Sequence, residues 1–267
     1  MRGKESTVAE ILVRREGAVA WVVFSNPAKF NAMTDAMWRR YPEVVAELDR
    51  DPEVRVIVLV GEGDKAFVSG ADISQFDAVD AQPGAQAEYN RGLDAAFDAA
   101  VECSKPVIAC IRGICMGGGL GLAASCDIRV AAEDAVFRMP AARLGVGYTF
   151  DGLRRFVSIL GAANTSDIFF SARKFDARDA LAMGFVNRVV PASELQATVA
   201  AYCAQLAENA PLTITAAKSA IRESLRDPAT RDLETVERLC NACFASDDYR
   251  EGRTAFMEKR APRFRGR

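Results

Sequence analysis

The stretch Lys105–Ile128, KPVIACIRGICMGGGLGLAASCDI, constrains this chain more than any other. An apolar run, Pro106–Ile111, breaks at Gly113, and three consecutive glycines follow at Gly117, Gly118 and Gly119. An apolar stretch then ends at Asp127. Glycine loses more backbone freedom on folding than any other residue, so three in a row mark a place where side chains would obstruct something. One reading is a ligand atom approaching main-chain N–H groups at a helix start, where those donors lack intrahelical partners. The other is close packing of a helix on a strand. A phosphate-binding loop would need Gly-Lys-Ser/Thr after the glycines, and Leu120-Gly121-Leu122 stands there instead. Gly119-x-Gly121-x-x-Ala124 mimics a dinucleotide fingerprint. The helix it would open is short, however, and no long helical pattern separates it from the next strand, Ile128–Ala131.

The chain has no histidine. That removes Ser-His and Cys-His nucleophiles, imidazole acid/base chemistry and His-ligated metals, so no metal site is expected. Proton transfer falls to carboxylate, tyrosine, thiol, lysine or water. The seven cysteines are an odd set in a long chain, which argues against a disulfide framework. Cys240 and Cys243 sit in an apolar helical pattern and read as helix-face packing. A net charge of -2 gives no basic field for nucleic acid. No apolar run approaches a membrane span, and MRGKESTVAE does not read as a signal peptide, so a soluble, cytoplasmic protein is expected.

Ile11–Arg15 and Val19–Ser25 read as strands with a turn at Glu16-Gly17. Thr34 caps a helix to about Asp49, with Pro42 disturbing its middle. Val54–Val60 and Pro106–Ile111 have the apolar composition of strands buried on both faces, with a helix over Glu88–Glu102 between them. Strands alternating with helices make an α/β fold. The polar segment within Phe67–Glu88 is a lid or an idle loop. After about Ser193 the pattern is helical only, ending in a helix over Asp247–Lys259. The expected division is an α/β core over 1–191 and a helical region over 192–267.

Together these segments resemble the crotonase superfamily, also called the enoyl-CoA hydratase/isomerase family. NPAKFNAMT (Asn26–Thr34) resembles its first CoA-contacting turn, and AFVSGADI (Ala66–Ile73) the block that holds adenine and one oxyanion-hole donor. Lys105–Ile128 resembles the block with the second donor, and Phe175–Val190 and Phe256–Phe264 resemble later family segments. The resemblance implies a crotonase (ClpP-like) spiral of ββα units with a C-terminal α-helical extension that packs in a homotrimer or dimer of trimers. It implies an acyl-CoA thioester substrate, with CoA as part of that substrate and no separate cofactor. The thioester oxygen would lie between the N–H groups of Ala71 and Gly118. Ala28, Lys29, Phe30, Ser69, Ala71, Asp72, Ile73 and Lys259 fall at CoA-binding positions. By residue type alone, Asp72 is equally a turn cap, and Lys259–Arg267 equally a solvated charge run.

Family hydratases use two glutamates, and Gly121 and Ala141 occupy those positions here. Hydration needs a base for water and an acid for Cα, which neither residue supplies. Tyr148 resembles a tyrosine of family decarboxylases, and Asp151 lies near an aspartate of some family isomerases; both are taken as catalytic candidates. The alternatives are a packing role for Tyr148 and an N-cap role for Asp151 on a helix Leu153–Leu160. Arg138 and Arg143 would pair with an acidic substrate group or with Asp151, or stay solvated. The expected function is an acyl-CoA-processing enzyme working through a thioester enolate. The alternatives are a malonyl-type acyl-CoA decarboxylase and a non-catalytic CoA-thioester binder.

Overall fold

Successive strands leave for two different sheets in the computed structural model, which describes residues 8–72, 74 and 85–267. β1 (Glu10–Glu16) and β2 (Val19–Ser25) pair antiparallel. β3 (Val56–Gly61), β5 (Val107–Ile111), β7 (Ile128–Ala132) and β10 (Arg188–Val190) extend that sheet in parallel, in the order β1-β2-β3-β5-β7-β10. The second sheet runs β4 (Ala66–Val68), β6 (Ile114–Met116), β8 (Val136–Arg138) and β9 (Lys174–Asp176), with only β9 antiparallel. Each of the units β3/β4, β5/β6 and β7/β8 thus gives one strand to each sheet. The apolar runs follow from burial on both faces: every residue of β2 and of β5 is buried.

Side chains alternate between two cores. Ala20, Val22 and Phe24 of β2 join one cluster with Trp38 and Tyr41 of α1 (Asp35–Arg50) and Ala96 of α2 (Ala85–Glu102). Val19 and Trp21 join the other, which α7 (Leu195–Ala207) covers with Leu195, Val199 and Cys203. α1 starts as expected, with the Thr34 hydroxyl accepting from Met37 N at 3.2 Å. Pro42 does not interrupt it: the helix runs unbroken to Arg50 and tolerates the missing N–H.

The remaining helices are α3 (Gly118–Ser125), α4 (Ala141–Leu144), α5 (Phe150–Ser171), α6 (Ala177–Ala182), α8 (Pro211–Ser224), α9 (Leu233–Ala245) and α10 (Asp247–Glu258). α5 is longer than the expected Leu153–Leu160, because a kink at Gly161 (φ +73°) lets a second segment continue the first. Lys259 is not in the last helix; it closes α10 in the left-handed conformation. Cys240 and Cys243 line an apolar cleft of about 790 Å³ between α8, α9 and α10. Among the described residues no helix is long and apolar enough to cross a membrane.

Candidate active site

The backbone amides of Ala71 and Gly118, from different chain segments, lie close to one another. After β4 the chain forms a parallel bridge between Met33 and Ala71. Met33 N donates to Gly70 O and Asp72 N donates to Met33 O, both at 2.8 Å. In such a bridge the N–H of Ala71 itself points away from Met33. α3 opens at Gly118, whose N–H is in the first turn and has no intrahelical acceptor. A Cβ built on Gly118 would lie 3.8 Å from Ala71 N, and one built on Gly70 would lie 3.7 Å from Gly118 N. Neither N–H is a donor in the hydrogen bonds that join these segments. The other end of α3 is held by the buried Arg129, which donates to Cys126 O at 2.6 Å and Ala123 O at 3.3 Å.

The glycines of this segment serve two purposes. A Cβ at Gly119 would fall 2.0 Å from Val68 O, so this glycine lets α3 lie against β4. One at Gly118 would fall 2.9 Å from Trp38 Cζ2, and one at Gly121 would fall 2.7 Å from Cε1 and Cζ of Phe97. Trp38 and Phe97 meet edge to face, with ring centroids 5.8 Å apart. The space that a side chain at position 121 would enter is therefore filled with aromatic hydrocarbon. Ala141 is buried at the start of α4 and offers no acid either.

The two segments expected to meet CoA lie side by side. Ala28 and Lys29 end a short 3₁₀ turn, Pro27–Lys29, that Phe30 closes at φ +52°. Ser69 N donates to Phe30 O at 3.1 Å, and Ser69 Oγ donates to Lys29 O at 3.1 Å. Lys29 Nζ donates to Asp72 Oδ2 at 2.7 Å and to Ser74 Oγ at 2.9 Å. Burial pushes the Asp72 carboxyl up, but hydrogen bonds from Lys29 and Ser74 and the lysine charge prevail and hold it below its ordinary value. Asp72 also fixes the turn by accepting from Ser74 N at 3.2 Å. Ile73 lies outside the described residues. Lys259 is exposed beyond α10.

Tyr148 is half-buried with its ring edge-on to Phe169, at a centroid distance of 5.0 Å, and burial pushes its phenol up to about 12. Asp151 is placed differently from expectation. Thr149, not Asp151, caps α5, its hydroxyl accepting from Gly152 N at 3.2 Å. Asp151 is in the first turn, 75% exposed and paired with Arg154 at 3.0 Å. Its partner is neither Arg138, which donates to Ala172 O at 2.7 Å, nor the exposed Arg143.

Several residues of this neighbourhood escaped sequence reasoning. Trp38 and Phe97 carry no local signal of a role at a site. Tyr89, also on α2, is pushed up to about 12 by burial, with the Asp35 charge adding and Trp38 opposing. Asp94 is raised by burial and by the charges of Asp98 and Asp151. Its signal, an acid at i, i+4 to Asp98 on one helix, is common on solvated helices. Among the described residues no group of three or more His, Cys, Asp or Glu side chains could hold a metal ion.

The enoyl-CoA hydratase/isomerase family model matches residues 14–267. A short-chain-enoyl-CoA hydratase of Clostridium acetobutylicum is 32% identical over 250 residues, which cover 94% of this chain and 95% of that protein. A peroxisomal Δ3,5-Δ2,4-dienoyl-CoA isomerase of Arabidopsis thaliana is 32% identical over 269 residues, covering 97% and 96%. The crystal structure of an enoyl-CoA hydratase/carnithine racemase from Magnetospirillum magneticum superimposes with a TM-score of 0.91 at 36% identity, covering 96% of each chain. A strand-alternating spiral, a helical C-terminal extension and a match over nearly the full length place this chain in the enoyl-CoA hydratase/isomerase family of the crotonase superfamily.

Proposed function

We propose that the protein is an acyl-CoA enzyme that forms a thioester enolate and holds its oxygen between the N–H groups of Ala71 and Gly118. The closeness of those two amides, with neither used in the hydrogen bonds that join their segments, carries the reading. Fixed donors facing a developing oxyanion in a water-poor site contribute about 2.7–4 kcal/mol each to lowering a barrier. Lys29 and Lys259 are cations for the CoA phosphates. The matched hydratase and isomerase are equally similar in sequence, so similarity does not choose the reaction.

The filling of position 121 favours one reaction within this class. Gly121 and Ala141 exclude two-glutamate hydration, whereas loss of CO2 from a malonyl-type thioester needs no base. The bond from Cα to the carboxylate carbon breaks, CO2 leaves, and the electron pair forms the enolate that the two amides stabilise. One proton then adds at Cα, with Tyr148, protonated at neutral pH, as the donor and water as its source. The test is incubation with crotonyl-CoA, a 3-enoyl-CoA and methylmalonyl-CoA in deuterium oxide. Deuterated propionyl-CoA from the last supports decarboxylation; hydration of the first by a Tyr148→Phe variant contradicts it. Binding of all three with no turnover leaves the non-catalytic reading.

A homotrimer or dimer of trimers fits the exposed apolar groups of the C-terminal helices, among them Phe244 and Phe256. Seven free thiols support a reducing, cytoplasmic setting.

A further inference from the structure

Phe97 stands where a longer side chain at position 121 would go. Gly118 and Gly121 are three residues apart on α3, so their Cβ positions share a face about 5–6 Å apart. The ring of Phe97 lies over the second of these positions, 2.7 Å from a Cβ built there. It is thus one helical turn from the amide that would polarise a thioester carbonyl. The ring is half-buried, whereas Trp38 behind it is fully buried.

The ring cannot easily retreat. Trp38 meets it edge-on at 79° between ring planes, and Trp38 itself is packed against Gly118. α2 is also tied to α3 at this level. Arg155 of α5 donates to Asp98, the residue after Phe97, at 3.0 Å and to Ser125 Oγ at 2.9 Å. Ser125 Oγ in turn donates to Gly121 O at 2.9 Å. One guanidinium therefore sets the spacing between the helix that carries the ring and the helix that carries the amide. Close-packed, doubly braced rings do not yield by the width of a methylene without cost.

We propose that Phe97 limits the size of the acyl group this site accepts, closing it beyond about four carbons. The inference rests on the reading that acyl-CoA thioesters bind at Ala71 and Gly118. Gly121 and Phe97 form a size-matched pair: the glycine makes room for the ring, and the ring takes the volume that an acyl tail or an acidic side chain would use. Each methylene that a rigid apolar wall refuses costs roughly tenfold or more in discrimination.

The experiment is titration calorimetry of the full chain with CoA, acetyl-CoA, butyryl-CoA, hexanoyl-CoA and octanoyl-CoA, for wild type, Phe97→Ala and Phe97→Leu. The expected result is wild-type affinity that peaks at butyryl-CoA and falls about tenfold or more by octanoyl-CoA. Phe97→Ala removes that fall, and Phe97→Leu, which keeps a smaller apolar group, lies between. If Phe97→Ala does not fold, the leucine variant decides alone. Tighter binding of thioesters than of CoA, with the same chain-length profile in wild type and variants, overturns the role of Phe97 and leaves the thioester site standing. Wild-type affinities for every thioester no better than for CoA itself overturn the thioester site.

Discussion

Replacing Gly119 by alanine separates the two amides without touching either. The built Cβ lies 2.0 Å from Val68 O, and ordinary contact begins at 3.4 Å, so β4 and α3 must part by about 1.4 Å there. Val68 leads through Ser69 and Gly70 to Ala71, and Gly119 follows Gly118 directly, so the displacement falls between the amides of Ala71 and Gly118. The Val68 oxygen belongs to rigid backbone and the added Cβ is fixed to the α3 backbone, inside the main core where Val68 is fully buried. Overpacking of this kind costs about 1–3 kcal/mol of stability. A misplacement near 1 Å costs roughly 10²-fold in turnover. Urea denaturation reads the first, and kcat on whichever thioester the wild type converts reads the second. A Gly119→Ala protein with wild-type stability and wild-type kcat would refute the argument, because the amides would not depend on the β4–α3 contact.

Tyr148→Phe keeps the ring packing on Phe169 and removes only the hydroxyl, so stability is expected to hold while kcat drops by about 10²-fold at unchanged KM. Because that phenol sits at about 12, the pH–rate profile between about pH 6 and pH 9 shows no step that the substitution abolishes. Asp72→Asn weakens the contact with Lys29 and costs about 1.5–3 kcal/mol at neutral pH, measured by urea denaturation. The folded carboxyl lies below 3.8, so its contribution is complete above that pH and is lost as pH falls through the lowered value; wild type and variant converge there. A gap that persists in strong acid argues against the ion pair. Asp151→Asn, at a three-quarters exposed side chain paired with Arg154, changes stability by less than about 1 kcal/mol and leaves turnover intact. A hundredfold loss would put that carboxylate in the reaction.

The amino-acid order made the alternating strands and helices legible, because each buried strand is a bare apolar run and each helix on it repeats its apolar positions. Thr34 was legible as a cap for the same local reason. Capping of α5 was not: Thr149 and Asp151 both favour a helix start, one as cap and one in the first turn, and composition does not rank them. The glycine run announced a close approach, and its helix–strand packing reading is borne out. Gly119 serves helix–strand packing, and Gly118 brings its amide toward Ala71. Which neighbour faces each glycine depends on α1 and α2 folding across α3, so the Phe97 ring over Gly121 has no trace in local sequence. The absence of glutamates at 121 and 141 was visible; that aromatic packing fills the first position was not.

The central claim is that one thioester oxygen receives two backbone hydrogen bonds. Isotope-edited infrared difference spectroscopy of butyryl-CoA labelled with ¹³C at the carbonyl observes that oxygen's bond alone. Convergent donation from Ala71 and Gly118 weakens the C=O bond and moves its stretch to lower frequency on binding, and Gly119→Ala reverses most of the shift. A bound thioester whose carbonyl absorbs where it does in water, in wild type as in the variant, would contradict the account.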